Sequence, residues 1–183
     1  MIMKTGKRFI DRFLWLLMLT ISPSCFVMSQ NWQIGDGYSV SFSGSEISGI
    51  FKGLKGNIFF NEQDITTSRF DITIDVGSIN TGNGLQNRHA KSEEWLDASK
   101  YPVIRYVSQK IAKTGNTYQA TGYLDVHGIK KMVIIPFAFR RKDKGAVFSG
   151  TFTLNRSDFN IGKPGGDVAE LIKIDLTVPV VPK

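Results

Sequence analysis

Cysteine, histidine and proline are all scarce in this chain: one, two and six residues respectively out of 183. The single cysteine, Cys25, falls within the N-terminal stretch 1–29, so residues 30–183 hold none. A disulfide framework, a thiol nucleophile and a cysteine-based metal site are thereby excluded from that part of the chain. The two histidines, His89 and His127, lie 38 positions apart and belong to no HxH or HxxxH pair. A metal centre would need both, plus a carboxylate from Asp125, Glu93 or Glu94. The residues favour a plainer assignment, with His127 bonding to backbone at a strand end and His89 orienting a neighbouring segment. No metal site is expected.

Catalytic signatures are missing too. There is no G-x-S-x-G elbow. Glu93-Glu94 and Asp97 read as a solvated helical face rather than an acid/base pair. Gly82-Asn83-Gly84 lacks the spacing and setting of a phosphate cradle. Arg156 and Asp158 are placed to form a structural ion pair across a turn. No catalytic residue is assigned.

The net charge of +7 also excludes less than it first suggests. Residues 1–29 hold four basic residues and one acidic, which leaves 19 basic against 15 acidic, a net of +4. The densest basic cluster, Arg140-Arg141-Lys142 with Lys144, surrounds Asp143 and Gly145 between two apolar runs, as a solvated hairpin turn does. Nucleic-acid binding is not expected.

Long hydrophobic runs are absent as well. Phe13 to Ile21 is too short to span a bilayer comfortably. Preceded by Lys4, Lys7, Arg8 and Arg12, and followed by the small-residue pattern Val27-Met28-Ser29, it reads as a secretory signal peptide over 1–29 with cleavage near Ser29. The position three before Cys25 is Ser22, a poor lipidation site. The mature chain is expected to start at Gln30, in the periplasm or outside the cell.

What the rest of the chain has is alternation. Arg69 to Val76 is the clearest case: Phe70, Ile72, Ile74 and Val76 alternate with Arg69, Asp71, Thr73 and Asp75. Similar strands run over 38–43, 54–60, 103–108, 118–127, 146–154 and 171–178, and a further strand over 132–139 is apolar on both faces. Gly44-Ser45 and Ser48-Gly49 suggest a sharp bend or bulge. Eight strands at hairpin spacing, without βαβ alternation, give an antiparallel all-β fold. Closure into a barrel removes exposed edges, whereas a sandwich would bury the same faces. The pattern alone leaves both open.

The expected inward set is Leu54, Ile58, Phe60, Phe70, Ile72, Ile74, Leu124, Ile135, Phe137, Phe139, Phe148, Phe152, Ile174 and Leu176. Such a lining either fills the interior with its own side chains or surrounds one elongated apolar ligand. One stretch breaks the β habit. From Ser78 to Ser108 the chain opens with turn residues and passes through a polar run with helical spacing, where Leu85, His89, Trp95 and Leu96 offer a partly apolar face. This is a lid over about 84–98.

Several stretches together resemble the YceI-like polyisoprenoid-binding family: FKGLKGNIFF (51–60), SINTGN (78–83), HAKSEEWLDASKYPVI (89–104), TGYLDVHGIKK (121–131) and LNRSDFNIG (154–162). The resemblance covers about Tyr38 to Val178, and so most of a single domain over 30–183. It implies a lipocalin-like antiparallel eight-stranded β-barrel with a short helical insertion. It also implies a non-enzymatic binder or carrier of an apolar chain lipid, a polyisoprenoid or quinone-like molecule, held inside the barrel. His89, Trp95 and Tyr101 match the lid, or head-group end. No other cofactor is implied. The expected protein is a monomer or homodimer in transient contact with a membrane. The alternatives are a barrel with a filled core serving a structural or partner-binding role, and an enzyme acting on a lipid head group with His89, His127 or Glu94.

Overall fold

The computed structural model describes residues 31–165 and 168–183; the signal peptide expected over 1–29 lies outside the described residues. In chain order the elements are β1 (Asn31–Ile34), β2 (Ser39–Ser43), β3 (Ser48–Phe51), β4 (Leu54–Phe59), β5 (Arg69–Asp75), α1 (Gly84–Ala90), β6 (Val103–Thr114), β7 (Thr117–Val126), β8 (Ile129–Lys142), β9 (Gly145–Asn155) and β10 (Leu171–Pro182). All strand pairings are antiparallel, as hairpin connections require. The sheet closes where β1 meets β10, at Trp32↔Pro182 and Ile34↔Val180. The barrel, not the sandwich, is the solution adopted.

Ten segments fill eight positions in the ring. β1 and β2 lie one after the other along the same edge of β10, which pairs with β1 at Val180 and with β2 at Thr177. They are one strand interrupted by a turn at Gly35–Tyr38. β3 and β4 are likewise one strand, interrupted at Lys52-Gly53. The two breaks are stitched together by Tyr38, whose hydroxyl donates to the Lys52 carbonyl and accepts from the Leu54 amide at 3.2 Å. Ser48-Gly49 is thus the start of a strand rather than a bend; β2 and β3 form a hairpin around Gly44–Ile47. Gly56, in β4, has φ +145° and faces Asp71 so closely that a Cβ would stand 2.2 Å from its carbonyl oxygen. No other residue fits there.

One end of the barrel is packed solid with rings. Phe60 (1% exposed) lies with its centroid 4.7 Å from Phe139, 5.1 Å from Tyr118 and 5.3 Å from Phe148. Trp32 meets Phe139 edge-on at 5.5 Å and donates its indole N–H to the Phe60 carbonyl at 3.1 Å. Edge-to-face pairs of this kind add about 0.5–1.5 kcal/mol each beyond the area they bury. Arg141 covers the floor from outside, 5.6 Å from the Trp32 ring and paired with Glu62 at 2.6 Å.

The opposite end carries the lid. α1 has only seven residues, too few to be stable alone, so its neighbours hold it. Asn83 caps it by accepting from the Leu85 and Gln86 amides. Asn87 ties it back to the Thr81 amide at 2.8 Å. Ala90 and Leu96 anchor its inner side, while Leu85 is 68% exposed and lies outside the apolar face expected for it. A single short helix followed by tight turns through Lys100 makes up the lid.

Candidate functional site

Above the aromatic floor the barrel is hollow, with a cavity of ≈ 280 Å³. Its wall follows from the strand period, since every second residue of each strand points inward. Twelve of the fourteen side chains expected on the inner face line this cavity. The other two, Phe60 and Phe139, belong to the floor, where their rings pack on one another. Tyr106 is also on the wall; its buried hydroxyl donates to the Ala120 carbonyl at 2.8 Å, and burial pushes its pKa well above the tyrosine range. That hydroxyl is committed to backbone and stays neutral, so the wall remains effectively apolar.

Apart from Leu96, which the helical spacing of the lid marks, the roof is built from residues without a periodic signal. Ile79, Ala90, Leu96, Phe159 and Ile161 come from turns, α1 and the loop after β9, and all face the cavity. Of the three lid residues singled out from sequence, Trp95 lines the cavity directly. His89 lies against Trp95 with ring centroids 5.3 Å apart. Tyr101 packs edge-on to His127 at 5.0 Å. His127 and Gly128 both have positive φ, 54° and 75°, and form the two-residue turn between β7 and β8. His127, expected at the end of a strand over 118–127, lies in the turn itself. His127 Nδ1 meets the Phe159 carbonyl at 3.2 Å, a backbone contact as expected.

Arg156 corrects another expectation. It does not pair with Asp158. The two residues lie in a 3₁₀ turn, where a two-residue step leaves side chains about 120° apart around the axis. Asp158 points outward to Lys131 at 2.7 Å, while Arg156 turns inward and is 4% exposed. Its guanidinium donates to four carbonyls, those of Ala169, Ile161, Lys163 and Val168, at 2.7–3.1 Å. It lies 5.5 Å from the Trp95 ring centroid and reaches the cavity wall. The Trp95 indole N–H is buried and has no hydrogen-bond partner among the described residues. The roof therefore offers a cation and an unpaired N–H above an apolar hollow. Such a site suits an apolar chain ending in an oxygen acceptor. Glu94 is a surface residue 3.8 Å from Lys163, and no cluster of three metal-ligating side chains occurs among the described residues.

Comparison with known proteins gives a consistent picture. The curated relative from Pseudomonas syringae pv. tomato, a UPF0312 protein, is 32% identical over 146 residues, covering 76% of each chain. Burkholderia cenocepacia BcnA superposes with a TM-score of 0.75 and 27% identity, over 78% of this chain and 95% of that one. A polyisoprenoid binding domain from Saccharophagus degradans, implicated in plant cell wall breakdown, shares the fold at a TM-score of 0.64 with 13% identity, over 85% and 100% of the two chains. The YceI-like domain matches residues 32–180, and the chain belongs to the YceI-like family.

Proposed function

We propose that this protein is a non-enzymatic binder or carrier of an apolar chain lipid of the polyisoprenoid class, with a quinone-like, oxygen-bearing head beneath the lid. The cavity carries the reading: ≈ 280 Å³ lined almost wholly by apolar side chains, with Arg156 and the unpaired Trp95 N–H at its roof. Each CH₂ moved from water into it contributes about 0.8 kcal/mol. The polyisoprenoid-binding domain of similar fold supports the ligand class. The leader-like sequence over 1–29 supports a periplasmic or secreted location. Contact with a membrane would be transient, during loading. A wholly filled barrel fits the hollow poorly. A head-group enzyme fits no better, because neither His89, His127 nor Glu94 lines the cavity.

Organic extraction of the protein purified with its own leader, followed by mass spectrometry, tests the reading directly. A prenyl lipid should be recovered. The emptied protein should gain thermal stability on adding decylubiquinone, by about 2.7 kcal/mol at a hundredfold excess over Kd. No recovered lipid together with no stabilisation would defeat the proposal. N-terminal sequencing of the exported protein checks the cleavage site.

A further inference from the structure

The wall of the barrel has a slot in its side. The ladder between β8 and β9 runs from Lys142↔Gly145 to Ala138↔Ser149 and stops. Both strands continue beyond it, β8 back to Ile129 and β9 on to Asn155. Over that length β8 is paired with β7 and β9 with β10, but β8 and β9 are not paired with each other. Local chemistry accounts for the parting. Pro136, two residues past the last pair, has no N–H to offer a continuing ladder. At Gly150 the strands are still close, since a Cβ there would stand 2.5 Å from the Pro136 carbonyl, so the gap opens beyond that point, at Ile134 and Phe152.

A second hollow of ≈ 230 Å³ occupies the gap, between Lys131–Ile134 on one side and Phe152–Asn155 with Asp158 and Phe159 on the other. Phe152, Leu154 and Phe159 line this hollow and the main cavity alike. On its β8 side the outer rim is apolar where a solvated strand would be polar, with Met132 59% and Ile134 56% exposed, while Lys131, Thr153, Asn155 and Asp158 make the rest of it polar. The slot has fixed ends. Below, the ladder resumes at Ala138. Above, the Lys131–Asp158 bridge at 2.7 Å and the His127–Phe159 contact at 3.2 Å tie the β7–β8 turn to the segment after β9. This is a framed opening rather than a frayed edge.

A long chain needs one. The floor is blocked by rings and the roof by α1 and the Arg156 loop. A dry apolar cavity of about 150 Å³ holds a single benzene, so ≈ 280 Å³ takes only a short length of chain. We propose that the β8–β9 slot is a side portal. The apolar chain passes through it, and whatever exceeds the cavity lies between Met132–Ile134 and Phe152–Leu154. This proposal rests on the apolar-chain reading above.

The test closes the slot after folding. Continued toward the lid, the Ala138↔Ser149 register sets Ile134 against Thr153. In a Cys25→Ser background, Ile134→Cys with Thr153→Cys is joined by a short bis-maleimide. Arg140→Cys with Val147→Cys, joined in the same way, bridges the paired half of the same seam. Uptake of decylubiquinone from phosphatidylcholine vesicles is followed by stopped-flow quenching of tryptophan emission, with each uncross-linked double mutant as reference. Bridging at 134/153 should slow uptake at least tenfold while leaving the Kd after long incubation within twofold, and bridging at 140/147 should change neither. An unchanged rate in the 134/153-bridged protein overturns the portal while leaving the lipid reading intact. Absence of quenching in the uncross-linked proteins overturns both.

Discussion

At the floor of the barrel the Phe60 ring packs against five other rings. At the roof Trp95 keeps an unpaired N–H, and Arg156 is held by four backbone carbonyls. One end is closed by interlocking side chains and the other by polar contacts that fix a loop. Dispersion and burial stabilise only where atoms fill space, so stability belongs to the floor. The roof, with a hollow beneath it, is where the protein has left packing undone. Tight packing and open space are thus separated along the barrel axis.

The sharpest way to break this contrast is to truncate one ring at each end. Phe60→Ala should cost about 3–5 kcal/mol, as large aromatic deletions in packed sites do, read as a shift in the urea midpoint. Trp95→Ala should cost well under half of that, yet weaken decylubiquinone binding. Equal losses would show that the roof is as tightly packed as the floor.

Arg156→Met comes next. It removes the donors from four carbonyls and should cost on the order of 2–3 kcal/mol, since stranded buried acceptors are expensive. Arg156→Lys should recover only part of this, because an ammonium cannot span the same fork of contacts. Full recovery by lysine would mean that charge alone matters there.

Ile72→Phe adds volume to the cavity wall. Its stability cost should be modest, about 1–3 kcal/mol or less if the ring finds the hollow, while decylubiquinone uptake is lost. Retained uptake with a large stability loss would point to a filled interior.

The smallest effect lies on the outer wall. Hydrogen bonds from Arg105 to Asp71 hold that carboxyl below the usual carboxylate range, and a bond from Thr151 does the same for Asp175. A pKa depressed in the folded state contributes stability above the unfolded value of about 3.9, and that contribution is lost as pH falls through the folded value. Asp71→Asn should therefore lower the melting temperature slightly at pH 7 and leave it unchanged near pH 2. A difference that persists in acid would assign the effect to something other than ionisation.

Much of the barrel was legible because one-sided burial writes a period of two into a strand. Arg69–Asp75 is the plainest instance, and the inner set derived from it lies almost wholly on the cavity wall. β1 and β3 left no such trace, being four residues each and broken by turns. The roof residues Ile79 and Phe159 sit on irregular backbone, which has no period to read. Arg156 and Asp158 misled because adjacency in sequence suggests a pair, whereas a 3₁₀ turn points them apart. The apolar doubling of Met132–Phe139 was visible, but paired and parted strands look identical in sequence. The slot was hidden for that reason.

The paired interruptions at Gly35–Tyr38 and Lys52-Gly53, joined through Tyr38, have a mechanical consequence. They run across two neighbouring staves at the same height, between β1 with β4 and β2 with β3. The ladder is interrupted there on both staves, so β2 with β3 can open without β1 and β4. Amide hydrogens of β2 and β3 should consequently exchange in a faster class than those of β1 and the far half of β10, so that a single uninterrupted ladder is not what the solvent sees.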